Sequence, residues 1–164
     1  AGISRASFYL YFEDKEDLLG CIAESWVDVI LCKLTEAFRV SDGSYYESMK
    51  LWMSQALEND ISREVWKVYK RVMEEEDFTR KSKMGALQFK ASPKWRQVIE
   101  ECYGHMDQSR YPGLTPEKLA YAVDMGLLAM VQLSMRYVEH YAPLAELKEA
   151  AWHQLTILDK GIRE

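Results

Sequence analysis

The chain has 164 residues, 48% of them hydrophobic and 29% charged, with a formal net charge of −5. That is enough apolar material to bury a substantial core, and the size favours one body of ordinary dimensions. The acidic balance excludes a chain that binds nucleic acid over its whole surface, because neutralising phosphates takes clustered Lys and Arg, but it leaves room for a small DNA-reading head.

Only four prolines and eight glycines interrupt long segments rich in Leu, Ala, Glu, Lys and Met. Alternating runs of Val, Ile and Thr are scarce, so the expected fold class is all-α. Cys21, Cys32 and Cys102 are odd in number, without C-x-x-C spacing, and each falls in an apolar helical pattern. They are expected to be buried free thiols in a reducing, cytoplasmic setting. No segment reads as a signal peptide, and none is a convincing membrane span.

The first nineteen residues read as the second half of a helix-turn-helix. Gly2 suits the left-handed residue that closes a preceding helix, and Ser4 suits the N-cap of a short new one carrying Arg5, Ser7, Tyr9 and Tyr11 between Ile3, Phe8, Leu10 and Phe12. With Asp14, Lys15, Glu16 and Leu18 in register behind them, these residues resemble the recognition helix and following turn of TetR/AcrR-type transcriptional regulators. The resemblance implies a DNA-binding head whose supporting helices precede Ala1. Residues 1–17 are then the remainder of that head, and 18–164 a helical effector-binding and dimerisation domain.

The same resemblance, with the chemistry of the side chains, assigns DNA-contacting roles. Arg5 is the candidate for a bidentate contact to guanine, with Ser4 and Ser7 as shorter hydroxyl contacts. Tyr9, Tyr11 and Lys15 resemble the family positions that meet the phosphate backbone, contacts that position a head more than they specify sequence. Phe8, Leu10 and Phe12 are expected to form the core of the head.

Asp14 should cap a long helix, with Glu16 and Asp17 adding negative charge in its first turn. Leu18, Leu19, Ile22, Trp26, Val29, Ile30, Leu34, Ala37 and Phe38 recur at three and four residues, and Ser41, Asp42 and Gly43 end the run. Ser44 to Glu47 has capping-box spacing and opens a helix with Met49, Trp52, Met53, Ala56 and Leu57 inward. A break at Asn59, Asp60 and Ser62 precedes a helix with Val65, Trp66, Tyr69, Val72 and Met73 on its stripe, then a less periodic helix over 78–91. Ser92 and Pro93 are an N-cap and first-turn pair for a helix with Trp95, Val98, Ile99, Cys102, Tyr103 and Met106 on one face.

Arg110 to Leu114, holding Pro112 and Gly113, should be a loop. Thr115-Pro116-Glu117 starts a segment so apolar between Leu119 and Met135 that it should be covered on both sides. Past Pro143, the last helix carries Leu144, Leu147, Ala151, Leu155, Leu158 and Ile162 on one stripe, with Trp152 and Ile157 off it. These last two helices have more apolar surface than one inward stripe needs, so 115–164 is the expected homodimer surface, as in the resembled family.

The middle helices collect aromatic and Met side chains, the material of a ligand pocket and equally of a helical core. Trp66, Tyr69, Tyr103, Tyr121 and Asp124 are the candidate ligand-binding residues, the aromatics because each pairs an apolar body with a polar tip. Asp124 sits in an apolar helix and needs a partner, either a lysine or tyrosine of this chain or a polar group of a ligand. His105, His140 and His153 lack metal-ligand spacing, no cofactor is implied, and no phosphate loop or nucleophile elbow occurs, so an enzyme is not expected. The expectation is a repressor released from operator DNA by a largely apolar small molecule. The alternative is a helical protein-interaction module, which accounts for the apolar faces but not for the opening motif.

Overall fold

A computed structural model describes residues 9–57, 92–140 and 143–164, without the side chains of Lys15, Glu16, Leu19, Ala23, Trp26 and 137–140. The fold is all-α: the described elements are helices α1 (Lys15–Val40), α2 (Tyr45–Gln55), α3 (Pro93–Gly104), α4 (Pro116–His140) and α5 (Leu144–Arg163). The expected break at 59–62, the helices over 65–73 and 78–91, and the residues Gly2, Ser4, Arg5, Ser7, Trp66 and Tyr69 lie outside the described residues.

Local chemistry sets the helix starts. The Asp14 carboxylate accepts the Asp17 N–H at 2.7 Å, and Asp17 in turn accepts the Glu13 N–H at 3.1 Å, so free amides at the head of α1 are satisfied from both directions. Ser44 caps α2 through the Glu47 N–H at 3.3 Å, and Ser92 caps α3 through the Trp95 N–H at 3.1 Å, with Pro93 in its first turn. Thr115 accepts the Lys118 N–H at 3.2 Å at the start of α4. Gly43 ends the α1–α2 turn with φ of +67°, a backbone region nearly closed to residues with a Cβ.

The helices pack pairwise around one core: α4 lies on α5, α2 on α1, α5 and α4, and α3 on α1 and α4. Leu31, Leu34 and Phe38 of α1 meet Met49, Trp52 and Met53 of α2, Trp95, Ile99 and Cys102 of α3, Leu119, Val123 and Met130 of α4, and Leu147, Ala151 and Leu155 of α5. Each Leu, Ile, Val, Met or Phe among them contributes about 1.5–3 kcal/mol by leaving water. The Trp52 indole N–H, carried inside with them, donates to the Ile30 carbonyl at 3.3 Å. Gly126 permits the closest approach of α2 to α4, for a Cβ there would stand 2.5 Å from the Met49 Cε.

Three expectations need correction. Cys102 is buried, but Cys21 and Cys32 are exposed, because both fall on the face of α1 turned away from the core stripe of Leu31, Leu34 and Phe38. Ile22 and Val29, expected inward on α1, are likewise exposed. And α4 is covered along one side only: Tyr121, Met125 and Leu128 face outward while Leu119, Ala122, Val123, Met130 and Leu133 are buried.

Candidate functional site

The first candidate region is the turn over 9–14 and the start of α1. Tyr9, Leu10 and Tyr11 are exposed and Phe12 is half-buried, so Leu10 is outside any core formed by the described residues. None of the described side chains from Tyr9 through Ile30 is fully buried, and the first that is belongs to Leu31. At 1.5 Å per residue a helix of 26 residues spans about 39 Å, and Val27 and Ile30 are the first of its described hydrophobic side chains to pack against the core.

Glu13, Asp14, Asp17, Glu24 and Asp28 make the described surface of the first half of α1 and of the turn before it acidic. Asp28 pairs with Lys94 at the start of α3 and ties α1 to that element.

The candidate ligand residues do not converge on one point. The Tyr103 hydroxyl, on half-buried α3 surface, donates toward the Leu114 carbonyl at 3.2 Å and the Gln108 amide oxygen at 3.3 Å, and so fastens the α3–α4 loop. Tyr121 is 66% exposed on α4, and Asp124, one turn on, is half-buried. The composition that nominated Tyr121 is ambiguous about direction: the position lies on the side of α4 opposite Leu119 and Val123. Ser134 is fully buried on α4 and, among the described residues, holds the buried hydroxyl without a hydrogen-bond partner.

A second region is the outer face of the last two helices. Tyr121, Met125 (51% exposed) and Leu128 (45%) recur at four and three residues, so they form one stripe along α4. Ile157, 59% exposed, adds an apolar group on α5, which packs against α4. An apolar stripe exposed along one helix, as on α4, is unfavourable in water and marks contact surfaces in folded proteins.

A third feature is not signalled by any motif. Tyr111, in the expected loop over 110–114, is fully buried, and its hydroxyl donates to Asp159 Oδ1 of α5 at 2.5 Å. The Tyr111 hydroxyl oxygen also accepts the Tyr45 backbone N–H at 3.0 Å, while the Tyr45 hydroxyl donates to the Ala122 carbonyl of α4 at 2.7 Å. The other Asp159 oxygen takes Arg163 Nε at 2.8 Å, and that guanidinium lies 5.2 Å from the Tyr111 ring centre. Burial pushes the Tyr45 hydroxyl well above the ordinary tyrosine range, with the Asp159 charge adding to it, and burial together with the Asp159 hydrogen bond pushes Tyr111 the same way. Both phenols are therefore fixed as neutral donors at neutral pH. The sequence holds only an Asp four residues before an Arg at this end of α5, a spacing that pairs those two but says nothing of Tyr111.

Neighbouring contacts reinforce this junction. Asp107 N–H donates to the Gly43 carbonyl at 3.1 Å, and Arg110 reaches the Asp42 carbonyl at 3.1 Å and its carboxylate at 3.3 Å. Ser109 closes onto Asp107 through its N–H at 2.9 Å and its hydroxyl at 2.6 Å. Hydrogen bonds from Ser109 hold the Asp107 carboxyl below its usual range, so it stays ionised.

Among the described residues no group of three or more His, Cys, Asp or Glu is arranged to hold a metal ion, and no helix is long and apolar enough to cross a membrane. No protein-family model, curated protein or solved structure matches the chain.

Proposed function

We propose that this protein is a ligand-responsive, DNA-binding transcriptional regulator, acting as a homodimer and released from its operator by a small, largely apolar molecule. The observation that carries the reading is the opening motif, Gly2 through Leu18, whose last residues open a long helix capped by Asp14. A recognition element attached this way moves with the helix behind it. Arg5, Ser4 and Ser7 would read base edges, while Tyr9, Tyr11 and Lys15 would hold the phosphate backbone.

The outer stripe of Tyr121, Met125 and Leu128, with Ile157, supports two-fold pairing of α4 and α5 into a four-helix interface. A dimer would present two recognition helices to half-sites about 34 Å apart, so a shift of a few ångströms in their separation spoils simultaneous docking. Trp66, Tyr69, Tyr103 and Asp124 remain the proposed effector contacts, and Tyr121 is reassigned to the dimer face.

The test is a mobility-shift titration of the full-length protein against the DNA upstream of its own gene at several salt concentrations. A shift that weakens steeply with salt and is lost in Arg5→Ala is the expected result; binding that ignores both sinks the DNA assignment. The effector arm is read separately, as a ligand-induced rise in melting temperature accompanied by release of DNA.

The exposed α4–α5 face also favours a second reading, a helical module that binds another protein. Deleting residues 1–17 separates the two, because an interaction module keeps its partner and a regulator loses its operator.

A further inference from the structure

Three stretches far apart in the sequence are tied to one another: the α1–α2 turn over 41–44, the α3–α4 loop over 105–115, and the last turn of α5. The loop grips the turn first, where the Asp107 N–H donates to the Gly43 carbonyl at 3.1 Å and Arg110 reaches both the carbonyl and the carboxylate of Asp42. Tyr111 then turns inward, and its hydroxyl accepts the Tyr45 N–H and donates to Asp159. Both Asp159 oxygens are thereby engaged, Oδ1 by Tyr111 and Oδ2 by Arg163, whose Nε stands at 2.8 Å and Nη2 at 2.6 Å. The Arg163 guanidinium also lies over the Tyr111 ring, so α5 holds this residue by its hydroxyl and by its face.

No member leaves without disturbing the others. Withdrawing Tyr111 takes the partner from the buried Tyr45 amide and from the buried Asp159 carboxylate at once, and each is costly to leave unpaired away from water. Met106 and Leu114, on either side of Tyr111 in the loop, are buried as well and leave their seats with it. The ties at the rim are weaker, for Asp42 is fully exposed and Arg110 about 42% exposed in their ion pair. The helices beside them are held by apolar packing that does not depend on the loop, so the loop region opens ahead of the rest.

We propose that the last turn of α5 is a strap that locks the α3–α4 loop onto the α1–α2 turn, so that the three segments open and close as one cooperative unit with Tyr111 as its positioning residue. Opening of this unit lets water reach Tyr45, Tyr111 and Asp159 together while the helix core stays packed.

The experiment is amide hydrogen exchange followed residue by residue by NMR in the full-length protein. It is read at the Tyr45 and Asp107 amides, with Val123 and Leu155 in the buried stripes of α4 and α5 as controls. Of the two amides only that of Tyr45 bonds to the Tyr111 hydroxyl; Asp107 bonds to Gly43. In the parent the two are expected to share one protection within about twofold and to exchange faster than both controls. In Tyr111→Phe, which keeps the ring and removes both hydroxyl contacts, both should speed up by one common factor, on the order of tenfold or more.

Acceleration at Tyr45 alone overturns the proposal, because the loop and the turn would then open separately. Unequal protection of the two amides in the parent overturns it too, as do controls that exchange no more slowly than they do, since only the whole chain would then be opening. Should Tyr111→Phe fail to fold, Arg163→Ala carries the same test by freeing the second Asp159 oxygen: both amides should speed up together by about two- to fivefold, and an unchanged rate at Asp107 is equally fatal. Because no DNA, effector or second copy enters the measurement, the unit can fail while the regulator reading survives, or survive while that reading fails.

Discussion

Replacing Gly43 with Ala tests whether the turn between α1 and α2 is as constrained as its geometry indicates. Gly43 has φ of +67°, and a Cβ built there would lie 2.6 Å from both the Asp107 Cβ and the Asp107 backbone nitrogen. A left-handed conformation costs a residue with a Cβ about 1–2 kcal/mol. The collision is partly with backbone, so no side-chain rotation relieves it, and separating the two turns stretches the 3.1 Å hydrogen bond from Asp107 N–H to the Gly43 carbonyl, worth about 1 kcal/mol. The stiffer unfolded chain returns about 0.4–1 kcal/mol.

The net expectation for Gly43→Ala is a loss of roughly 1–2.6 kcal/mol, or about 2–10 °C in melting temperature for a chain of this size. Far-UV circular dichroism at one fixed protein concentration, with urea unfolding alongside, measures it. Gly20→Ala is the internal control: Gly20 is within α1 and, among the described residues, has nothing inside 4 Å of the place an added methyl would occupy, so alanine there should stabilise by about 0.5–1 kcal/mol. A Gly43→Ala protein that melts within a degree of the parent, or a pair that move in the same direction, would refute the steric argument.

Tyr111→Phe should cost about 2–4 kcal/mol of unfolding free energy in denaturant titration, because it leaves the Tyr45 N–H and Asp159 Oδ1 without their buried partner. Leu128→Glu, which sets a charge in the exposed α4 stripe, should leave the protomer's helicity intact and shift sedimentation toward the monomer; an unaltered dimer would remove that stripe from the interface. Thiol titration of the native protein should modify Cys21 and Cys32 rapidly and Cys102 only after denaturant is added. Burial pushes the Cys102 thiol up from 9.0 to about 12, against the opposing Thr35 hydrogen bond. The folded chain therefore keeps a proton that the unfolded chain releases. This contribution is whole below pH 9.0 and is lost as pH climbs toward about 12, at up to about 1.4 kcal/mol per pH unit. Cys102→Ala should flatten the alkaline decline in that window, and an unchanged slope would contradict it.

The elements that short-range chemistry controls were legible in the amino-acid order. Asp14, Ser44, Ser92 with Pro93, and Thr115 each satisfy helix-end amides within three residues of themselves, so their positions were readable without knowing what packs where. The inward stripes of α2 and α3 were readable too, because each of these helices has one apolar face and no competing one, and on α5 the stripe of Leu147, Ala151, Leu155 and Ile162 stood apart from Ile157. On α1 and α4 the apolar residues run around more of the helix, and periodicity alone does not say which side a neighbour covers. That is why Cys21, Cys32, Ile22, Val29 and Tyr121 were expected inward and are exposed.

The junction of Tyr45, Tyr111 and Asp159 belongs to the tertiary structure alone. Its hydrogen bonds join residues 48 and 66 positions apart, and a tyrosine in a Pro- and Gly-containing loop carries no local mark of burial. Only when α2 and α5 have packed are the Tyr45 amide and the Asp159 carboxylate both withdrawn from water within reach of the same phenol. The cost of leaving either unpaired then makes that one arrangement the stable one.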